Sequence, residues 1–333
     1  MKEQVSASAQ KWLRSFVKAV LWTGAGVFSG IQGVSAQSWA DKPIKIVVPY
    51  PAGSTPDSLA RIISDGLAKR INRAVTVENR PGGGGMIGAK FVSDSVPDGS
   101  TLLMYTSAWS AAKIINKQPL VSVPDGLEPV TLAAEGAFAL TSSGAFAPRT
   151  FDEFARYAKE NPGRVNYATT GQGDNFLYEH LIQKEKGFKM EAIQYKGSSE
   201  YVAALVSNDV QVAITPQYTM LPFVKDGRMR ILAVSGNSRS KVYPDAPTFQ
   251  ELGIPQIRNN WFAMFAPRGT SAALIQKINS DVVAVIRSPE ASRKIQDIYF
   301  EPVGSSAEVM QQRIATDIAE WTDLARAVGI KPQ

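Results

Sequence analysis

Short apolar runs alternate with amphipathic segments along most of the chain. Residues Ile44–Val48 form an apolar, largely β-branched run between two prolines, which predicts a buried strand. Apolar residues then recur at helical spacing over residues 59–67 and predict a helix, which Thr55 or Asp57 could cap. Strand-like and helix-like segments alternate up to residue 234, and the last hundred residues are mainly helical. This alternation predicts parallel sheets that are covered by helices on both faces.

Two loops join the end of a predicted strand to the start of a predicted helix. One spans residues 50–57 and the other spans residues 170–175. In such a loop, backbone amides and the positive end of the helix dipole converge, which favours binding of an anion. Either loop alone could be a simple tight turn. Because both lie at carboxyl ends of strands, where ligands bind in α/β sheets, we interpret both as candidate ligand-binding loops.

A glycine-rich segment offers a competing interpretation. Gly83, Gly85 and Gly88 form a G-x-G-x-x-G pattern between a predicted strand and a helix, as in dinucleotide-binding proteins. That pattern normally follows the first strand of the unit, but here it follows the second. The next predicted strand, residues 101–106, is also not followed by the acidic residue that would hold a ribose. We therefore expect these glycines to serve close packing or positive φ angles.

The amino-acid composition excludes several kinds of chemical site. The chain has 333 residues, 44% hydrophobic and 20% charged, which is enough for two globular domains. It has no cysteine and one histidine, His180, so thiolate sites, disulfides and histidine-rich metal sites are excluded. We expect His180 to be a surface or helix-packing residue, and we expect no cofactor and no metal.

The N-terminus has the pattern of a secretory signal peptide. Four basic residues precede an apolar stretch over residues 19–34, and Ala36 ends a small-residue cleavage site. A membrane anchor is the alternative, but sixteen glycine-punctuated residues are too short to span well. We expect residues 1–36 to be a signal peptide, cleaved after Ala36, and the protein to be periplasmic. Without residues 1–36 the net charge falls from +6 to +3, with no basic block of the kind that nucleic-acid-binding proteins carry.

Seven stretches, in order, resemble the receptors of tripartite tricarboxylate transporters, the Bug family of periplasmic solute-binding proteins. The resemblance covers residues 42–331 and rests on PIKIVVPYPAGSTPD, VENRPGGGGMIGA, PDGSTLL, TTGQGD, QYKGSS, YPDAPTFQELG and NNWFAMFAP. It implies a two-domain α/β periplasmic binding protein (Venus flytrap) fold. Each domain would be a mostly parallel sheet flanked by helices, and crossing strands would join the two. Domain 1 would comprise residues 41–139 plus 260–333, and domain 2 residues 140–259.

The same resemblance implies a binding site between the domains. The ligand would be a carboxylate, held mainly by backbone amides of the two loops. The implied contacts come from the first loop (Tyr50, Gly53, Ser54, Thr55, Asp57), from the second loop (Thr170, Gly171, Gln172, Gly173, Asp174, Asn175) and from Ser107, Tyr195 and Trp261. Each side chain also has a purely structural interpretation: Asp57 could only cap its helix, Tyr195 could only pack, and Trp261 could belong to the hinge core.

The chain departs from the family pattern at both loops. Ser54 stands where a second glycine is usual, and Pro56 stiffens the first loop. In the second loop, Asp174 replaces a serine and Leu177 replaces a histidine, while the tyrosine usual in P-D-G-Y-T is Ser100. An acidic residue near an anion site repels the anion, so either Asp174 points outward or the ligand carries a donor.

Three functional hypotheses follow. The first is a monomeric solute receptor that delivers a di- or tricarboxylate to the small and large membrane subunits of a tripartite transporter. Four aromatic residues suggest a flat or aromatic dicarboxylate such as terephthalate: Tyr50, Phe176, Tyr195 and Trp261. A citrate-like or aliphatic acid is the alternative. Possible contacts to the far end of the ligand are Arg258 or Asn259 and Asn260. The second is a sensor or adaptor for a signalling receptor. The third is a hydrolase using Asp57 and Asp174 in the same cleft; because nothing pairs a base with a nucleophile, we do not expect an enzyme.

Overall fold

The computed structural model describes residue 39 and residues 42–169, 174–195, 198–240 and 242–330. The predicted signal peptide, residues 1–36, and its cleavage position after Ala36 lie outside these ranges. Within them, none of the helices is long and apolar enough to cross a bilayer.

Eleven strands and ten α-helices occur in the described ranges. The strands are β1 (Ile44–Val48), β2 (Val75–Asn79), β3 (Thr101–Thr106), β4 (Leu127–Gly136), β5 (Phe138–Ser143), β6 (Asn166–Thr169), β7 (Glu191–Gln194), β8 (Val212–Pro216), β9 (Met229–Val234), β10 (Asn260–Pro267) and β11 (Glu301–Pro302). The helices are α1 (Thr55–Ile71), α2 (Met86–Ser93), α3 (Ala108–Ile115), α4 (Phe151–Glu160), α5 (Asp174–Lys186), α6 (Ser198–Ser207), α7 (Gln217–Lys225), α8 (Ala272–Ile286), α9 (Pro289–Asp297) and α10 (Ala307–Val328).

The strands form two separate sheets, each within its own α/β domain. The first sheet has the order β11-β4-β10-β3-β1-β2, and we call it and its helices lobe 1. The second has the order β7-β6-β8-β5-β9 and defines lobe 2. The two-domain α/β fold is therefore confirmed. The exact boundaries at 139/140 and 259/260 stay predictions.

Both sheets are mixed rather than mostly parallel. β1 pairs in parallel with β2 and β3, but β10 runs antiparallel to both β3 and β4. In lobe 2, β6 is parallel to β7 and β8, whereas β5 is antiparallel to β8 and β9. The antiparallel pairs all involve strands next to the two crossings between the lobes or the short edge strand β11. A strand that enters or leaves a domain has no crossover helix to return it to the parallel direction.

The glycine-rich segment packs as the sequence predicts. Gly83 and Gly85 have φ angles of 57° and 96°, in the left-handed region. A Cβ on Gly85 would lie 2.5 Å from the hydroxyl oxygen of Tyr105, which donates a hydrogen bond to the Gly84 carbonyl. A Cβ on Gly88 would lie 2.7 Å from Pro49, so this segment lets α2 approach the end of β1.

A buried network ties the two crossings to the last helix. Arg313 of α10 bonds Glu135, at the end of β4, at 2.7 Å and Asp317 at 3.1 Å. Asp317 also accepts a hydrogen bond from the indole nitrogen of Trp261, on β10, at 2.6 Å. Burial raises the pKa of Asp317, and the positive charge of Arg313 offsets part of that effect. The far end of α10 carries Trp321 into the core of lobe 2, so one helix packs on both lobes.

We expect Asp317→Asn to lower the free energy of unfolding by about 2 kcal/mol, because it weakens buried hydrogen bonds to a charged group. Urea unfolding followed by circular dichroism would measure the change. Asp323→Asn on the same helix is the matched control, since that side chain is 76% exposed whereas Asp317 is 3% exposed. Equal stabilities for the two variants would contradict the network's role.

Candidate functional site

The first loop follows β1 and leads directly into α1. Helix α1 begins at Thr55 after Ser54, which makes no side-chain capping bond, so neither Thr55 nor Asp57 is the cap residue. Gly53 takes a φ angle of 79°, which favours glycine. Its amide donates to the Asp57 carboxylate at 2.9 Å, so the loop closes on its own helix.

Asp57 organises this loop through contacts with the protein itself. Its buried carboxylate also accepts hydrogen bonds from Arg61, at 3.0 and 3.1 Å, and from the Asn79 amide at 2.9 Å. Burial opposes ionisation, but the bonds from Arg61, Gly53 and Asn79 outweigh it and lower the pKa of Asp57. These four contacts give Asp57 a structural role, in which it braces the loop.

Two hydroxyl groups at the start of α1 are left without partners. The Oγ of Ser54 and the Oγ1 of Thr55 are buried and make no hydrogen bond within the described part of the chain. Because Pro56 has no N–H, these hydroxyls add to the few donors at this helix end. Buried polar atoms normally have partners, so a polar group is missing beside them. A carboxylate, which accepts several hydrogen bonds, fits this need.

Tyr50 and Ser107 lie at the carboxyl ends of neighbouring strands in lobe 1. The half-buried Tyr50 hydroxyl shares a hydrogen bond with Thr106 at 2.8 Å, and its ring lies 5.9 Å from that of Tyr105. Ser107 is buried and donates its hydroxyl to Asn260 at 2.5 Å, at the start of β10. Tyr50 therefore lies beside the first loop, whereas Ser107 ties β3 to the second crossing.

The second loop joins the end of β6 to α5 in lobe 2. Thr170, Gly171, Gln172 and Gly173, and the side chain of Asp174, lie outside the described residues. Asn175, in the first turn of α5, is half-buried. The amide of Tyr195 donates to the carbonyl of Thr169 at 2.8 Å, which places Tyr195 at the same sheet edge as the second loop.

Tyr218 connects this edge of lobe 2 to the first loop. It lies in α7, two residues after the end of β8, which is parallel to β6. Parallel strands end at the same edge, so Tyr218 and the end of β6 share it. Burial raises the pKa of Tyr218, and the adjacent Thr55 amide opposes part of that rise. The Tyr218 ring lies 5.0 Å from that of Phe300 in lobe 1. The first loop therefore faces the carboxyl edge of the second sheet.

A buried acid lies at the same edge. Beyond their pairing at Tyr167 and Val212, β6 and β8 separate, and the Glu179 carboxyl accepts hydrogen bonds from Thr169 and, at 3.5 Å, from the Ile214 amide. Its other oxygen, Oε2, is buried without a partner among the described residues. Burial raises the pKa of Glu179 well above its ordinary value, and the two hydrogen bonds offset only part of that effect.

The remaining predicted contacts lie in packed or hinge positions. The Trp261 ring is fully buried in the core of lobe 1, with its N–H bonded to Asp317, which favours the hinge-core interpretation. Arg258 pairs with Glu320, and Asn259 accepts a hydrogen bond from Ser235. In the described ranges, no group of three metal-ligating side chains occurs.

Sequence reasoning missed Tyr218 and Glu179. Tyr218 follows a predicted strand, so the rule that ligands bind beyond carboxyl ends of strands could have found it. Glu179 lies among buried residues of α5. Because glutamate is rarely buried, an acid at such a position indicates a specific polar partner or a functional role.

We expect Asp57→Asn to lower the free energy of unfolding by about 2 kcal/mol at pH 7, because an amide cannot accept all four donors. Urea unfolding would measure this loss, with Asp323→Asn again as the exposed control. The depressed pKa means that the wild-type stabilisation is present above pH 3.8 and is lost as the pH falls through the native pKa. Wild-type stability for Asp57→Asn would contradict the bracing role.

We expect Glu179→Gln to reduce the loss of stability that the wild type shows as the pH rises above 4.5. The native pKa is raised above 4.5, so the stabilisation from the neutral acid is full below pH 4.5 and is lost as the pH rises towards the native pKa. In that range each pH unit lowers the free energy of unfolding by about 1.4 kcal/mol. Urea unfolding at pH 5 to 8 would show a smaller decline for Glu179→Gln than for the wild type. The exposed Glu185→Gln, on the same helix, should keep the wild-type decline; the same decline in Glu179→Gln would contradict a buried neutral acid.

Comparisons with known proteins agree with this fold. Protein BugT of Bordetella pertussis is 29% identical over 314 residues, which are 92% of this chain and 96% of that protein. The structure of the periplasmic binding protein BugD superposes with a TM-score of 0.80 at 26% identity, covering 89% of this chain and all of that one.

Two further solved structures contain bound acids. Rpa4515 of R. palustris with adipate has a TM-score of 0.82 at 27% identity, covering 89% of this chain and all of that one. MatC of Rhodopseudomonas palustris with bound malate has a TM-score of 0.76 at 25% identity, covering 85% of this chain and 99% of that one.

The family description "Tripartite tricarboxylate transporter family receptor" matches residues 59–330 of this chain. That match begins within helix α1 and includes the second loop, both crossings between the lobes and the last helix. The fold and family are those of periplasmic binding proteins rather than of enzymes. The chain belongs to the tripartite tricarboxylate transporter receptor family and is a periplasmic solute-binding protein.

Proposed function

We propose that this receptor binds a small dicarboxylate between its lobes and delivers it to the membrane subunits of a tripartite transporter. The observation that carries the proposal is the start of α1, where the buried hydroxyls of Ser54 and Thr55 lack partners within the described residues. One carboxylate of the ligand would accept hydrogen bonds from these hydroxyls. The positive end of the α1 dipole stabilises the negative charge at that position.

Lobe 2 would hold the rest of the ligand. The second loop, residues 170–175, connects β6 to α5 in the sequence, and Tyr195 lies beside Thr169, the last residue of β6. Hydroxyl donors on lobe 1 and amide donors on lobe 2 would bind a molecule with an acid group at each end. The adipate and malate in the two related structures are dicarboxylates of this kind.

The positions of the aromatic side chains bear on the carbon skeleton of the ligand. Tyr50 is half-buried at the first loop, but the Phe176 ring contacts His180 at 4.6 Å, and Trp261 is buried in the core. Because fewer aromatic side chains are positioned to contact the ligand than the sequence predicts, we favour an aliphatic dicarboxylate. Terephthalate is the aromatic candidate for comparison.

Ligand binding would stabilise the closed arrangement of the lobes. A dicarboxylate that contacts both loops has higher affinity for the closed arrangement, so its binding shifts the population in that direction. The membrane subunits would then recognise the closed receptor. Delivery of the ligand to the membrane subunits would depend on this difference in affinity between the open and closed arrangements.

The experiment is calorimetric titration of the chain without residues 1–36 with malate, adipate, citrate, terephthalate and the monocarboxylate hexanoate. We expect a dicarboxylate to bind more tightly than hexanoate. Absence of binding by every acid would overturn the proposal, and preference for hexanoate would overturn its dicarboxylate part. Uptake of the bound acid, lost on deletion of the receptor, would test delivery.

We expect Thr55→Val to weaken binding of the preferred acid about tenfold, as for loss of one hydrogen bond to a charged group. Stability should change little, because the hydroxyl that is removed has no partner in the described chain. Thr141→Val is the matched control, since its hydroxyl is also buried and unpartnered there but lies inside β5. Equal affinities for the two variants would place the carboxylate elsewhere.

A further inference from the structure

The position of Tyr218 is unusual for a residue of lobe 2. Its helix, α7, packs on the second sheet, yet its side chain lies among residues of lobe 1 and contacts their core. Its ring stacks at a tilt of 57° near Phe300, which lies just before β11. The hydroxyl reaches the first residue of α1. One side chain of lobe 2 thus lies beside the carboxylate position of the proposed site.

The surroundings of its hydroxyl leave a proton available. The Thr219 side chain and the Thr55 amide lie beside the phenol and lower its pKa, which is the effect of donors that face its oxygen. Burial has the larger, opposite effect and raises the pKa of Tyr218. The phenol therefore stays neutral and keeps its own O–H as a donor. Beside it lie the unpartnered hydroxyls of Ser54 and Thr55, which also need an acceptor in the part of the chain that the structure describes.

We propose that Tyr218 is a specificity-determining residue that donates its phenolic O–H to the ligand carboxylate at the start of α1. This inference rests on the proposed function and deepens it, since it makes the same carboxylate a contact of both lobes. A carboxylate has enough lone pairs to accept from Tyr218, Ser54 and Thr55 together. A ligand without an acid group there leaves all three donors unpaired in a buried site, which strongly disfavours it.

The test is calorimetric titration of Tyr218→Phe with adipate and malate. The variant keeps the ring that packs on Phe300 and removes only the hydroxyl. We expect the affinity for the acid that the wild type binds to fall about tenfold, as for one lost hydrogen bond to a charged group. Tyr243→Phe is the matched control, because its hydroxyl is buried without a partner in the described residues and its side chain packs on the core of lobe 2.

Each result decides the inference. Unchanged affinity in Tyr218→Phe would overturn it, while binding by the wild type would leave the proposed function standing. Tighter binding would also overturn it, because the hydroxyl would then compete with the ligand for the Thr55 amide. A wild type that binds neither these acids nor any other carboxylate would overturn both. A purely structural role would lower the unfolding midpoint without ligand and leave the affinity unchanged, so both are measured.

Discussion

The pairing of strand β10 between β3 and β4 is the constraint on which this architecture depends. The chain leaves lobe 1 at the end of β4 and builds the second sheet. It returns as β10, whose residues are all buried. Because β10 is a central strand with partners on both sides, the return point has little freedom. The Trp261–Asp317–Arg313–Glu135 network then fixes both crossings against one helix.

That constraint explains why the carboxyl edge of the second sheet faces the first loop. The first loop lies at the carboxyl end of β1, and the second lies at the carboxyl end of β6. With the crossings fixed, Tyr218 bridges from the edge of the second sheet to the Thr55 amide. A ligand between these edges contacts elements of both sheets. Binding and lobe closure are therefore coupled by geometry.

The polar groups around the site divide into two kinds. The Asp57 carboxylate accepts hydrogen bonds from Gly53, Arg61 and Asn79 within the protein and so maintains the conformation of the loop. The hydroxyls of Ser54 and Thr55 have no such partners in the described chain. Preorganised support beside unpaired donors is the arrangement that a binding site needs, because ordering the loop adds no further entropic cost on binding.

Local patterns determined much of this protein. Strand β3 matches residues 101–106, the glycine segment packs as expected, and the motif order identified the family, because propensity, turn chemistry and motifs are local properties. Only the tertiary structure decided that the sheets are mixed, that Trp261 is core, and that Asp57 braces its loop. It alone brought Tyr218 to Thr55 and Glu179 between two diverging strands. Those outcomes depend on burial or on contacts between different elements of the fold, and no local window of sequence specifies either.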